Sequence, residues 1–162
     1  MACLWDHPGG MADHRCQHDY GSVGKRDAGA EGNTQVKPTC PFCELPRERI
    51  VASNQQGVVV RDAFPISPGH TLVIPRRHVG SLFEIDAKER DALFRLFEDA
   101  KRRLDKDYKP DGYNIGINDG PAAGQTVAHL HIHLIPRYAG DREDPRGGVR
   151  WIITEKAKYW SP

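Results

Sequence analysis

Five of the chain's eight histidines, His70, His78, His129, His131 and His133, lie beyond residue 69, and the last three alternate in His129-Leu130-His131-Ile132-His133-Leu134-Ile135. Side chains on a strand have a period of two. The run therefore predicts three imidazoles on one face, with Leu130, Ile132 and Leu134 on the other. Three stacked imidazoles serve neither a core nor a soluble surface well, so the ladder marks a functional site. Two chemistries use such a ladder. Neutral imidazole is a common metal ligand, and one ring can instead attack phosphorus while its neighbours supply hydrogen-bond donors. Alternate residues on a strand lie roughly 7 Å apart, so three rings share one ion only by leaning inward. The two chemistries coexist if the first histidine turns to a metal and the second stays free. Cys40 and Cys43 add a C-x-x-C pair, a spacing used by both zinc and redox sites. The redox form belongs in a thioredoxin-like βαβ setting, which the surrounding sequence lacks.

Positioning these residues requires a sheet. Ile50 to Ser53 and Val58 to Arg61 are short β-branched runs separated by Asn54, Gln55, Gln56 and Gly57, the pattern of a hairpin. Asp62 to Gly69 contains Pro65, Pro68 and Gly69 and reads as a loop. His70 to Ile74 is a strand ended by Pro75, Gly112 to Asn118 another, and Leu130 to Pro136 a third. Asp86 with Glu89 forms a capping-box pair that starts a helix. Leu93, Phe94, Leu96, Phe97, Ala100 and Leu104 carry its apolar stripe to about Lys106. Strands outnumber the long helix, which predicts an α+β domain: a mostly antiparallel sheet, one long helix and short helical segments.

The 162 residues suit one domain with an appendage. Residues 1–36 carry six glycines, scattered charges and few aliphatic side chains, too little apolar surface to offset ordering entropy. They are read as a disordered tail preceding a domain over 37–162. His7, His14, Cys16 and His18 in that tail have the spacing of no closed metal site. Twenty-three Lys and Arg against 22 Asp and Glu leave a net charge of +1, without the basic excess of a nucleic-acid binder. No apolar run reaches the eighteen or so residues of a membrane span, and the first residues lack a signal-peptide core. A cytoplasmic protein is the expectation.

The run His129 to Ile135 resembles the H-φ-H-φ-H-φ-φ signature of the histidine-triad nucleotide hydrolases and transferases. Upstream, Asn118-Asp119-Gly120-Pro121-Ala122-Ala123-Gly124-Gln125-Thr126-Val127 is similar to the fragile-histidine-triad branch, which hydrolyses dinucleoside polyphosphates. Pro68-Gly69-His70-Thr71-Leu72-Val73-Ile74-Pro75 resembles the family's other common strand. The resemblance implies a HIT-like fold and makes His131 the nucleophile, forming a nucleotidyl-histidine and releasing AMP from a diadenosine substrate. It implies that His133, the Gln125 amide and the Thr126 hydroxyl donate to the phosphoryl oxygens, with His70 completing the imidazole network. It also sets Asn118 near phosphate and ribose, and Asp62 on the ribose hydroxyls. Phe42 and Val60 are candidates for the base pocket.

Zinc-bearing members pair a C-x-x-C with a histidine after the Leu-Val-Ile-Pro strand and with the first triad histidine. That resemblance implies a structural zinc on Cys40, Cys43, His78 and His129. Magnesium is a candidate companion of the polyphosphate. Family members are typically homodimers, so a homodimer acting on a nucleotide substrate is implied. A nucleoside phosphoramidase that hydrolyses nucleotide-lysine bonds is the alternative, and a zinc-stabilised nucleotide-binding module the reading from another class. The phosphorylase branch tends to carry Gln where this chain has His133. Arg137, Arg142, Arg146 and Arg150 read as a solvated loop.

Overall fold

The computed structural model describes residues 40–160. The segment 1–36, with Cys3, Cys16 and its three histidines, lies outside the described residues. The elements are β1 (Ile50–Ser53), β2 (Gly57–Arg61), β3 (Thr71–Pro75), α1 (Ala87–Tyr108), β4 (Gly112–Gly116) and β5 (Ile132–Arg137), with short 3-10 turns between them. The strands form one sheet in the order β1-β2-β3-β5-β4. Every pairing is antiparallel, so the α+β architecture expected above is the one observed.

Local chemistry explains the elements. Asn54 Oδ1 accepts from the N–H groups of Gln56 and Gly57 (2.9 and 2.8 Å), an Asx turn that closes the β1–β2 hairpin. A Cβ at Gly57 would fall 2.5 Å from Leu93 Cδ2 and 3.1 Å from Ile74 O, so a larger residue there would force the core beneath α1 to shift. The helix opens as expected. Asp86 accepts from Glu89 N–H at 2.8 Å and the Glu89 carboxylate accepts from Asp86 N–H at 3.2 Å. Arg77 donates twice to that same carboxylate, at 2.8 Å each, which with the helix-cap bonds holds its pKa down to about 2.

Alternation divides the sheet between two faces. Val59, Val73, Ile132 and Leu134 point to α1 and pack with Leu93, Leu96, Phe97, Ala100 and Leu104. Val58, Val60, Leu72 and Ile74 point the other way, against Phe42, Leu45 and Ile50. Phe94 departs from the expected stripe: it is 46% exposed, because it falls one residue off the i, i+3, i+4 face that the sheet covers. The helix continues two residues past Lys106 and ends at Lys109, which takes a left-handed conformation (φ 48°). Strand β4 stops at Gly116, short of Asn118. Strand β5 begins at Ile132, so of the three alternating histidines only His133 belongs to the ladder. Leu130 N–H bonds to Val79 O instead, at 2.6 Å. The alternation of faces nevertheless holds from Leu130 onward, since Leu130 is fully buried in the α1-side core.

Candidate active site

The sheet's second face carries one row of residues straight across four strands: Val60 pairs with Leu72, Leu72 with His133, and His133 with Gly116. All four line a cavity of about 670 Å³, a volume suited to a small-molecule ligand. Phe42, Val60, Asp62, His70, Asn118, Thr126, His131 and His133, each singled out from sequence, also line it. Gln125 does not. Its Nε2 donates to Gly80 O at 2.8 Å and its Oε1 accepts from Gly120 N–H at 3.0 Å, so the amide braces a loop behind the cavity wall.

Hydrogen bonds fix which ring nitrogen each imidazole offers. His131 Nδ1 lies 2.7 Å from His129 O, and a carbonyl only accepts, so Nδ1 carries a proton and in the neutral ring the lone pair belongs to Nε2. The ring packs edge-on to Phe42 at 5.2 Å between centroids. Next along the chain, Ile66 N–H donates to His70 Nδ1 at 3.4 Å, which assigns the proton of His70 to Nε2. That nitrogen lies 3.0 Å from His133 Nδ1 and 3.5 Å from Asp62 Oδ2. His133 Nδ1 therefore accepts, and its Nε2–H is a buried donor with no partner among the described residues. Burial pushes His133 down to about 4, with His131 and His70 acting in the same direction and Asp62 against it. Burial lowers His70 as well, although Asp62 pulls the other way. At neutral pH the pair is uncharged, a relay that ends in a donor.

The second cluster stands beside the first. One ligand atom each from Cys40, Cys43, His78 and His129 lies within 4.8 Å of the other three. Cys40 Sγ is 3.3 Å from His129 Nδ1, Cys43 Sγ is 3.3 Å from His78 Nδ1 and 3.6 Å from His129 Nδ1. A tetrahedron with Zn–S and Zn–N bonds of ordinary length has S···N edges of about 3.5 Å, so the donor set fits zinc. His129 Nε2 donates to Pro75 O at 2.9 Å, the outer hydrogen bond that orients a ligating imidazole. Burial lowers the His129 pKa, which keeps the ring in the neutral form a metal needs. The cavity imidazoles and the Cys/His cluster thus stand side by side, joined through the backbone of residues 129–131.

The HIT domain model matches residues 45–140, more than half of the chain. The chain belongs to the HIT family. Among relatives of this HIT protein, the bis(5'-adenosyl)-triphosphatase of Saccharomyces cerevisiae is 44% identical over 117 residues, covering 72% of this chain and 54% of the yeast protein. The AP-4-A phosphorylase of Mycobacterium tuberculosis is 34% identical over 119 residues, covering 67% of this chain and 59% of that protein. The chain thus spans little more than half the length of either. Among solved structures, a Zn-bound histidine triad family protein from Mycobacterium smegmatis aligns with a TM-score of 0.58 and 34% identity, over 65% of this chain and 80% of that one.

Sequence reasoning missed part of the cavity wall. Leu72 and Ile135 line it, and the period-two rule would have found them two residues from His70 and His133. Phe64 and Ile66 line it too while remaining 86% and 74% exposed, and a proline-rich loop carries no periodicity to reveal them. The late arginines stay off it. Arg142, Arg146 and Arg150 lie over Trp151, Trp160 and Tyr159 at 5.7, 4.5 and 5.0 Å. Among the described residues no helix is long and apolar enough to cross a membrane.

Proposed function

We propose that this HIT protein hydrolyses dinucleoside polyphosphates at the α-phosphate through a nucleotidyl-histidine on His131. The observation that carries the reading is the 2.7 Å bond from His131 Nδ1 to His129 O, which in the neutral ring puts the lone pair on Nε2 of a residue that lines the cavity. In the first step the Nε2 lone pair forms a P–N bond as the P–O bond to the departing nucleotide breaks. The ring now carries a positive charge, stabilised because Nδ1–H stays on the carbonyl. In the second step water forms a P–O bond, the P–N bond breaks, AMP leaves and His131 returns to neutral with loss of the water proton.

The His133 Nε2–H, unpartnered among the described residues, is the donor for a non-bridging oxygen, with the Thr126 hydroxyl and Asn118 beside it. Asp62 takes the ribose hydroxyls and Phe42 with Val60 the base. Zinc on Cys40, Cys43, His78 and His129 supplies structural cross-linking only, and magnesium enters with the polyphosphate as its counter-ion. The functional unit is residues 37–162, as a homodimer in the cytoplasm.

The likeness to a phosphorylase supports a second reading, in which inorganic phosphate replaces water in the second step. Incubation with diadenosine tri- and tetraphosphate, with and without phosphate, tests both. AMP with ADP or ATP as products supports hydrolysis. ADP formed only when phosphate is added to the tetraphosphate supports phosphorolysis. Preference for adenosine phosphoramidate favours a phosphoramidase, and turnover of none favours a binding module.

A further inference from the structure

Between β3 and α1 the chain leaves His78 and passes through Val79, Gly80 and Ser81 into the 3-10 turn Leu82–Glu84. Hydrogen bonds tie this bracket down on its helix side. Gly80 and Ser81 N–H donate to Glu84 Oε2 at 3.3 and 3.4 Å, and Arg77 bridges Glu84 O at 3.2 Å to Glu89 in the first turn of α1. On its other side it grips the segment that forms the polar wall of the cavity. Ser81 Oγ and Leu82 N–H both donate to Asp119 Oδ2 at 2.9 Å, and Gln125 Nε2 donates to Gly80 O at 2.8 Å. Between these two grips the loop is closed on itself, with Gly120 N–H on Gln125 Oε1 at 3.0 Å and Gln125 N–H on Gly120 O at 3.2 Å.

The two residues that face the cavity sit just outside the two grips. Asn118 precedes Asp119, and Thr126 follows Gln125. A carboxylate oxygen that accepts two hydrogen bonds from one such bracket is a strong anchor, because charge-assisted bonds are about twice as strong as neutral ones. We propose that Asp119 is a positioning residue. Through Ser81 and Leu82 it sets Asn118 at the cavity wall, as Gln125 sets Thr126, so that both polar groups are aligned before substrate arrives. The inference rests on the reading that this cavity transfers a nucleotidyl group.

The test uses the full chain, normalised to bound zinc, in the variants Asp119→Ala, Asp119→Asn and Ser81→Ala. A displacement of about 1 Å in a positioning group costs up to roughly 100-fold in rate. Asp119→Ala is expected to lower kcat for diadenosine triphosphate by about 10- to 100-fold with KM nearly unchanged. Asp119→Asn, whose amide oxygen accepts from the same two donors, restores most of it. Ser81→Ala costs less, and adds nothing to Asp119→Ala.

An Asp119→Ala protein with wild-type kcat per zinc-loaded molecule overturns the proposal, as does an Asp119→Asn protein as slow as Asp119→Ala. Amide hydrogen exchange separates this failure from failure of the underlying reading. If the wild type turns over no dinucleotide, the reading falls, yet faster exchange at Gly120 and Leu82 in Asp119→Ala still upholds the clamp. Unchanged exchange there rejects it.

Discussion

His129 and His131 stand two residues apart, both buried, and each gives one ring N–H to a backbone carbonyl. His129 spends Nε2 on Pro75 O and keeps Nδ1, which faces the two cysteine sulfurs. His131 spends Nδ1 on the carbonyl of His129 itself and keeps Nε2, on a residue that lines the cavity. Residue type is the same, and the carbonyl each ring meets decides which nitrogen it presents. The Cys/His cluster is a closed set of four donors that could hold a metal. The cavity cluster is the bonded His70–His133 pair beside His131, and His133 Nε2 has no partner among the described residues.

Removing the His131 ring breaks this comparison most sharply. His131→Asn is expected to lower kcat by about 10⁴-fold while AMP affinity, measured calorimetrically, stays within a few-fold. Turnover at the wild-type rate would sink the nucleophile assignment. The Cys40→Ser, Cys43→Ser double variant has the opposite signature. Metal analysis should find about one zinc per chain in the wild type and none in the variant. Melting should drop by about 10 °C or more, since each kcal/mol shifts a small domain by several degrees. A variant that melts with the wild type would leave no structural role for the cluster.

Much of this was legible in the sequence because it depends on short spacings. The capping box at Asp86 and Glu89, the Asn54 turn and the alternation of His131 with Ile132 and Leu134 are decided within a few residues of themselves. What was illegible depends on segments meeting. The ladder starts at Ile132 rather than Leu130 because Val79 O captures Leu130 N–H, a partner 51 residues away. Gln125 leaves the cavity for Gly80 for the same reason. Phe64 and Ile66 reach the cavity rim through the path of a loop, which no pattern along the chain encodes.

The neutral relay makes its own prediction about acid. Burial depresses His133 from its ordinary 6.5 to about 4, so in this range the unfolded chain binds the proton more tightly than the native one. The stability tied to the neutral ring is complete above pH 6.5 and is lost as pH falls through 4. His70, also depressed, acts in the same direction. Urea midpoints measured from pH 7 to 4 should fall for the wild type and fall less for His133→Gln. Parallel curves would mean that His133 is not desolvated as described. Zinc release in acid affects both proteins alike, so the difference between them isolates the ring.

Asp62 sharpens the contrast with the smallest effect. Asp62, His70 and His133 could also offer three ligand atoms to an ion. However, His70 Nε2 and His133 Nδ1 are already 3.0 Å apart and bonded to each other, so an ion there would have to displace the relay's own proton. On the proposed function Asp62 serves the substrate rather than a metal. Asp62→Asn is expected to leave zinc at one per chain and to raise KM about tenfold with kcat little changed, the cost of weakening one charged hydrogen-bond acceptor. A fall in zinc content would move the metal into the cavity cluster and erase the distinction between the two sets of histidines. A fall in kcat with KM unchanged would instead make Asp62 a partner of the His70–His133 relay rather than of the ribose.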